Sequence, residues 1–186
     1  KTGKHRSGVS LFSSSIELNF PNQDGILCSC RRGQKLAVYT APSTYAYRAN
    51  NGKAACSTNG AVYALGYENG WMLMLYEANA ANQYLVGYVN TNSIKGKLPS
   101  LPQLDWDESN VQVLETTSLT DDPALTGKSL MTLREGSYVT YLTTMYNSDA
   151  WDYVETTLDG QTIRGFVRHG TLSVDLQDTN EDLGVG

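Results

Sequence analysis

Short apolar runs interrupted by turn residues recur along most of this chain. Within the runs, apolar and polar positions alternate, β-branched and aromatic side chains predominate, and no segment has a convincing helical period. The pattern predicts strands over residues 36–39, 61–67, 71–76, 84–89 and 161–167. The strands are short and are spaced as in small β-barrels, so the sequence predicts an all-β protein.

Two tight turns separate pairs of these strands. Asn69-Gly70 and Asp159-Gly160 each lie between apolar runs, and both dipeptides accept the positive φ angles of two-residue hairpin turns. The first turn leads directly into Trp71, whose ring belongs either to a core or to a binding surface. We predict that Trp71 is mainly structural, with one ring edge available to a ligand.

The second half of the chain repeats the pattern of the first. Gly127 follows Gly52 by 75 residues, and Gly165 follows Gly87 by 78. Trp151 corresponds to Trp71. The constant order predicts two copies of one unit of about 60 residues, a size at which a domain is only marginally stable alone.

The repeat divides the chain into five parts. These are an extension (1–34), a first barrel (35–97), a linker (98–109), a second barrel (110–176) and an acidic tail (177–186) that should fray. In the linker, two prolines favour extended backbone and four large apolar residues favour packing on the barrels: Leu98, Leu101, Leu104 and Trp106. In the extension, residues 16, 18 and 20 are typical of one strand face, and residues 28–32 are expected to add an edge to the first barrel.

The motifs of the first copy resemble the bacterial SH3-like domains called SH3b. The matching stretches are LAVYTAPST from Leu36, GAVYALGYENGWMLMLY from Gly60 and VGYVNTNSI from Val86, which together span residues 35–96. The second copy, over residues 110–174, keeps the equivalent Trp and Gly positions but lacks the Pro-Ser loop. The resemblance implies two tandem SH3-like barrels in an extracellular or cell-wall-associated protein that targets peptidoglycan.

Charge and hydropathy exclude several classes of protein. The net charge of −5 is uneven, because residues 1–34 carry five Lys or Arg against two acids. The remainder is acidic, which argues against a nucleic-acid-binding body. No apolar run is long enough for a transmembrane segment, and the start of the chain lacks the apolar region of a signal peptide, so we expect any signal to have been removed.

The cysteines and acidic pairs indicate no catalytic or metal site. The odd number of cysteines leaves either free thiols or one disulfide from Cys56 to Cys28 or Cys30. Ala55-Cys56-Ser57 differs from the Asp-Cys-Ser-Gly of wall peptidases, lies in a strand-like segment and would need His169 from the other barrel. Asp121-Asp122 is interpreted as a solvated turn. We therefore predict a protein that is not an enzyme and has no cofactor.

The most favourable ligand site lies in the loop after the first strand. Tyr45 and Tyr47 are two residues apart, so they are predicted to present both rings to a sugar or peptide, with Arg48 binding a carboxylate. With Trp71 they form the predicted site, and the first barrel is expected to carry it. Two functions remain open: a non-catalytic module that binds peptidoglycan or another wall polymer, and a structural or protein-interaction module of a larger surface protein.

Overall fold

The structure is a computed structural model that describes residues 26–28, 30–78, 83–123, 128–146 and 149–174. The predicted strand at residues 16–20 and the acidic tail 177–186 lie outside these described residues. The described elements are β1 (Ile26–Leu27), β2 (Lys35–Ala37), the helical turn α1 (Ala49–Gly52), β3 (Ala55–Ser57), β4 (Val62–Glu68), β5 (Trp71–Glu77), β6 (Tyr84–Asn90), a 3-10 turn (Thr91–Ser93), β7 (Ser109–Gln112), β8 (Thr117–Thr120), β9 (Ser129–Leu133), β10 (Tyr138–Tyr146), β11 (Ala150–Leu158) and β12 (Gln161–Arg168).

Strands dominate these elements, which confirms the all-β prediction. In the second half the strands form one antiparallel sheet in the order β7-β10-β11-β12-β8-β9. The first half has the corresponding sheet β1-β4-β5-β6 and the pair β2-β3, and a bridge between Tyr39 and Tyr88 brings the pair beside β6. The two halves therefore have the same strand order. Among the described residues each order is open, so the structure shows repeated sheets rather than closed barrels.

The two predicted hairpin turns are present. Asn69 and Gly70 join β4 to β5 with φ angles of 48° and 83°, and Asp159 and Gly160 join β11 to β12 with 50° and 79°. Both pairs of residues lie in the left-handed region that a two-residue hairpin turn of this kind requires. The local sequence therefore sets the hairpins.

The register of the repeat is the same in both halves. Met74, three residues after Trp71, pairs with Gly87, and Val154, three residues after Trp151, pairs with Gly165. A Cβ added to Gly87 would lie 2.4 Å from Val38 Cγ1, and one added to Gly165 would lie 2.7 Å from the Thr120 carbonyl oxygen. Because neither residue has a side chain, the segment after β2 can pack directly on Gly87, and the end of β8 can pack directly on Gly165.

The sheets of the two halves share a hydrophobic core. Its buried members are Leu65, Trp71, Leu73, Leu75, Val86 and Tyr88 from the first half and Leu142, Met145, Trp151, Tyr153 and Phe166 from the second. Each half also has a cluster of its own behind the shared one. Trp71 and Trp151 are 6% and 2% exposed, so both rings pack in the core between the halves.

The linker packs as predicted. Leu104 and Trp106 lie against the shared core, and Leu98 and Leu101 lie against the cluster of the first half. The Leu104 amide donates to the Tyr67 carbonyl at 2.7 Å, so the linker runs beside β4. The strand that pairs with β4 is β1, just before residues 28–32, where the added edge was expected. Within residues 28–32, the Cys28 amide donates to the Val62 carbonyl and the Arg31 amide to the Lys95 carbonyl.

The cysteine pairing differs from both alternatives. Cys28 and Cys30 form a disulfide with each other, and Cys56 is a free, buried thiol. The prediction placed Cys28 and Cys30 on one face of a strand, where either could reach Cys56, and did not include a bond between them. Strand β1 ends at Leu27, so these cysteines lie outside regular strand geometry.

Candidate functional site: a cleft between the two halves

A buried polar network fixes the two halves against each other. The Arg164 guanidinium donates to both carboxylate oxygens of Glu68, at 2.8 and 3.1 Å, and to the Tyr88 hydroxyl at 2.9 Å. Its Nε donates to Glu155 at 2.6 Å, and the Trp106 indole donates to Glu68 at 2.8 Å. Burial alone would raise the pKa of Glu68, but the hydrogen bonds from Arg164 and Trp106 lower it, so the carboxylate stays ionised.

The loop between β2 and β3 crosses to the second half. The Tyr47 amide donates to the Thr162 carbonyl at 2.8 Å, and the Val86 amide donates to the Asp121 carbonyl at 2.9 Å. These backbone bonds place the loop after β2 and the end of β8 on the same face of the molecule. The gap between them is the site described next.

A cleft of about 560 Å³ opens between the halves. We call it the inter-half cleft, and it is lined by Tyr47, Ala49, Asn50, Asn51, Ala54, Ala55, Tyr76, Ala78, Gln83, Leu85, Asp121, Lys128, Ser129 and Leu130. Its volume lies within the range of small-ligand pockets, and its lining mixes apolar surface with amide, hydroxyl and charged groups. Both halves contribute residues, so neither half forms the cleft alone.

An unusual turn forms one wall of the inter-half cleft. Asn50, Asn51 and Gly52 have φ angles of 55°, 53° and 74°, so three successive residues lie in the left-handed region. Only glycine and, less readily, asparagine adopt this conformation routinely, which explains the sequence Asn-Asn-Gly. The turn holds both asparagines at the cleft wall.

The aspartates after β8 are not solvated turn residues, contrary to the sequence-based interpretation. Asp122 is 0% exposed, and Asp121 is partly buried in the inter-half cleft. Burial raises the pKa of Asp121 to about 6, and the adjacent Asp122 adds to the effect. The interpretation failed because the burial comes from the docked first half, which no local pattern indicates.

A tyrosine hydroxyl lies beside Asp121. Tyr76 is 3% exposed and lines the inter-half cleft, and burial followed by the charge of Asp121 raises its pKa. Within the described ranges, no protein group hydrogen-bonds to this hydroxyl. Its oxygen is not among the fully buried atoms that lack a partner, so the Tyr76 hydroxyl is open to the cleft as a donor and an acceptor.

A second cavity adjoins the inter-half cleft. It has a volume of about 350 Å³ and shares Asn50 and Ala55 with the cleft. The described residues of its lining include Lys35 and Lys53 and no acidic side chain, so we call it the basic cavity. Together the two form a groove with a carboxylate near one end and two ammonium groups near the other.

Only one of the four predicted ligand-site residues reaches this groove. Tyr47 lines the inter-half cleft and packs on the core of the second half. Tyr45 is 86% exposed, so the two tyrosines do not share one environment. Arg48 donates to the Ala54 carbonyl and lies over the Tyr39 ring, which itself meets the edge of Trp71. The ligand-binding roles of Tyr45, Arg48 and Trp71 remain predictions.

Cys56 and His169, the two residues considered above for catalysis, lie in surroundings that differ from each other. Burial raises the pKa of Cys56 to about 11, so its thiol stays protonated and is a poor nucleophile. His169 Nδ1 lies 2.9 Å from Asp152 Oδ1, which also accepts from the Thr144 hydroxyl. Asp152 is buried, and its Oδ2 has no hydrogen-bond partner within the described residues. Cys56 lines the basic cavity, and His169 is not among the residues that line either cavity.

Over the described residues, no three His, Cys, Asp or Glu side chains are grouped so that they could hold a metal ion. In the same part of the chain, no helix is long and apolar enough to cross a membrane.

Comparisons of the chain with protein-family models, curated proteins and solved structures give no match.

Proposed function

We propose that this protein is a non-catalytic binding module whose ligand is an extended peptide or a peptide-bearing wall polymer such as peptidoglycan. The observation that carries the proposal is the groove formed by the inter-half cleft and the basic cavity. Both halves line it, and its two parts carry opposite charges, Asp121 in the cleft and Lys35 and Lys53 in the cavity, which suits a chain with several polar groups rather than a compact molecule.

The rigidity of the walls supports a binding role. The Glu68–Arg164 ion pair and the shared core hold the halves in one arrangement, so a ligand meets a preformed surface and loses less free energy to ordering the protein. The edge strands β3 and β9 both reach the inter-half cleft through Ala55 and Ser129. An edge strand is a natural partner for an extended chain.

The resemblance to SH3b domains supports the choice of ligand and location. We propose that each half is an SH3-like barrel unit, that the protein acts outside the cell or at the cell wall, and that the wall peptide lies in the groove. We also propose that the protein is not an enzyme, and the protonated state of Cys56 agrees with this.

Sedimentation with purified peptidoglycan tests the proposal. We expect the full chain to enter the pellet, and Asn50→Gly/Asn51→Gly to reduce its share, because glycine keeps the left-handed turn while removing both amide groups from the groove. Tyr138→Ala is the matched control, because this exposed tyrosine does not line the groove and has no predicted role in binding. A wild-type protein that stays in the supernatant, or equal losses from both variants, would refute the proposal.

The alternative is a protein-interaction module with the same groove. An extended protein segment would use the same edge strands and charges as a wall peptide. The same experiment separates the two, because a protein-interaction module leaves peptidoglycan unbound.

A further inference from the structure

We propose that the inter-half cleft selects a lysine-type ammonium group on its ligand, held between the carboxylate of Asp121 and the hydroxyl of Tyr76. This inference rests on the proposed binding role of the groove and names the chemical group that the groove recognises.

The charge balance of the inter-half cleft calls for a cation from outside. Asp121 makes no ion pair within the described residues, and Asp122 is buried beside it. Among the described residues that line the cleft, Lys128 is the one basic residue, and its side chain is exposed. Burial and the charge of Asp122 raise the pKa of Asp121, and no basic side chain is among the causes that lower it. A ligand cation would therefore meet an uncompensated carboxylate.

The hydrogen-bonding groups of the cleft suit an ammonium group. An ammonium ion has three donors and no acceptor, so it needs several acceptors at one point. Asp121 and the Tyr76 hydroxyl supply two of them, and they are close enough for the charge of Asp121 to raise the pKa of Tyr76. Gln83 donates its amide nitrogen to Asp122 at 3.3 Å, which leaves its amide oxygen as an acceptor on the same wall.

The apolar part of the lining suits the stem of a lysine-type side chain. Leu85, Leu130 and the Tyr47 ring line the same cleft, and a flexible chain of methylene groups packs on such surfaces while its ammonium group reaches polar partners. The cleft continues past Asn50 and Ala55 into the basic cavity. The main chain of an extended peptide has room there, and a carboxylate on it would meet Lys35 or Lys53.

The pKa of Asp121 gives this inference a pH signature. In the empty cleft the carboxyl titrates at about 6, so a bound ammonium group must displace a proton below that pH. Among the described residues, the other ionisable groups that line the cleft or act on the pKa of Asp121 are Asp122, Tyr47, Tyr76 and Lys128. Binding should therefore weaken as the pH falls through about 6, by roughly tenfold between about pH 7 and about pH 5.

Titration of the full chain with two matched peptides tests the inference by fluorescence anisotropy. The probes are a labelled alanine-rich peptide with one central lysine and the same peptide with that lysine acetylated on its side-chain nitrogen. We expect the lysine peptide to bind at least about tenfold more tightly, because acetylation removes the charge and two of the three donors. Asp121→Asn should abolish this preference, Tyr76→Phe should reduce it severalfold, and Asp105→Asn, an exposed acid outside the groove, should leave it unchanged.

A melting curve shows whether each variant is folded. Because the folded-state pKa of Asp121 is raised above its ordinary value of 3.8, the wild type loses stability as the pH rises through the window between 3.8 and about 6. Asp121→Asn should therefore melt above the wild type at neutral pH. Lost binding with a raised melting temperature supports a direct role for the carboxylate.

The outcomes separate this inference from the proposed function. Equal binding of both peptides, or an unchanged preference in Asp121→Asn, overturns the ammonium site even if peptidoglycan still sediments the protein. Selective lysine binding without sedimentation keeps the ammonium site and overturns the wall ligand. An affinity that stays constant between about pH 5 and pH 7 also contradicts the site.

Discussion

Replacing Arg164 with methionine should destabilise the whole molecule. The change removes the charge partner of Glu68 and the bonds to Tyr88 and Glu155, while methionine keeps much of the apolar stem. Glu68 would then remain buried, with only the Tyr88 hydroxyl and the Trp106 indole as donors. Removing one partner of a buried ion pair costs about 3–5 kcal/mol, because the other charge is left uncompensated.

The assay is urea unfolding of the full chain, followed by tryptophan fluorescence, together with thermal melting. For a protein of this size we expect the melting temperature to fall by about 6–20 °C. Arg168→Met is the matched control. It lies on the same strand and over the Trp151 ring at 5.7 Å, but it is exposed, so its removal should cost less than about 1 kcal/mol.

The stability lost in Arg164→Met should depend on pH and on whether Glu68 is present. The pKa of Glu68 is lowered in the folded protein, so its pairing stabilises the fold above the ordinary value of 4.5 and is lost as the pH falls below it. The penalty of Arg164→Met should therefore shrink in acid, and a second change, Glu68→Leu, should restore part of the stability at neutral pH. A penalty below about 1 kcal/mol at neutral pH, or a penalty that grows in acid, would refute this reasoning.

Two further changes test the core and the repeat. Trp71→Ala and Trp151→Ala should each cost about 3–5 kcal/mol in chemical unfolding, because both rings fill the shared core; an unchanged melt with lost ligand binding would instead assign Trp71 to a binding surface. Gly165→Ala should cost about 1–3 kcal/mol, because its Cβ would meet the Thr120 carbonyl. In Gly60→Ala the nearest atom is the mobile end of a side chain at 3.3 Å, so equal losses from the two glycine changes would contradict the steric argument.

The sequence predicted what local chemistry controls. Asn69-Gly70 and Asp159-Gly160 specify their turns through the φ angles that these residues adopt. Strand β5 is buried on both faces from Trp71 to Tyr76, so alternation does not decide which of its side chains are buried. Leu104 and Trp106 in the linker could also be assigned to a packed segment from the sequence, because large apolar side chains are unfavourable in a solvated linker.

The site depended on packing between distant segments and could not be predicted in this way. The first half contacts Asp121 and Asp122 through hydrogen bonds from Val86 and Gln83, and Tyr76 lines the cleft from the core cluster of the first half. The Asn-Asn-Gly sequence at residues 50–52 was a usable signal, because three such residues in succession favour left-handed backbone. Attention to that turn would have moved the predicted site from Tyr45 toward the groove.

The Glu68–Arg164 pair also bears on the order in which the chain folds. The two residues are 96 positions apart in sequence, and the hydrogen bonds between them join the two halves. Each hairpin, in contrast, joins two strands that are neighbours in sequence. Contacts of such long range form late, because closing a long loop costs entropy before any contact rewards it. We expect the hairpins β4–β5 and β11–β12 to form first and the halves to dock afterwards. Interactions that form after the folding transition state slow unfolding rather than speed folding. The ion pair would then mainly slow unfolding, so the folded protein would persist for longer than its equilibrium stability alone implies.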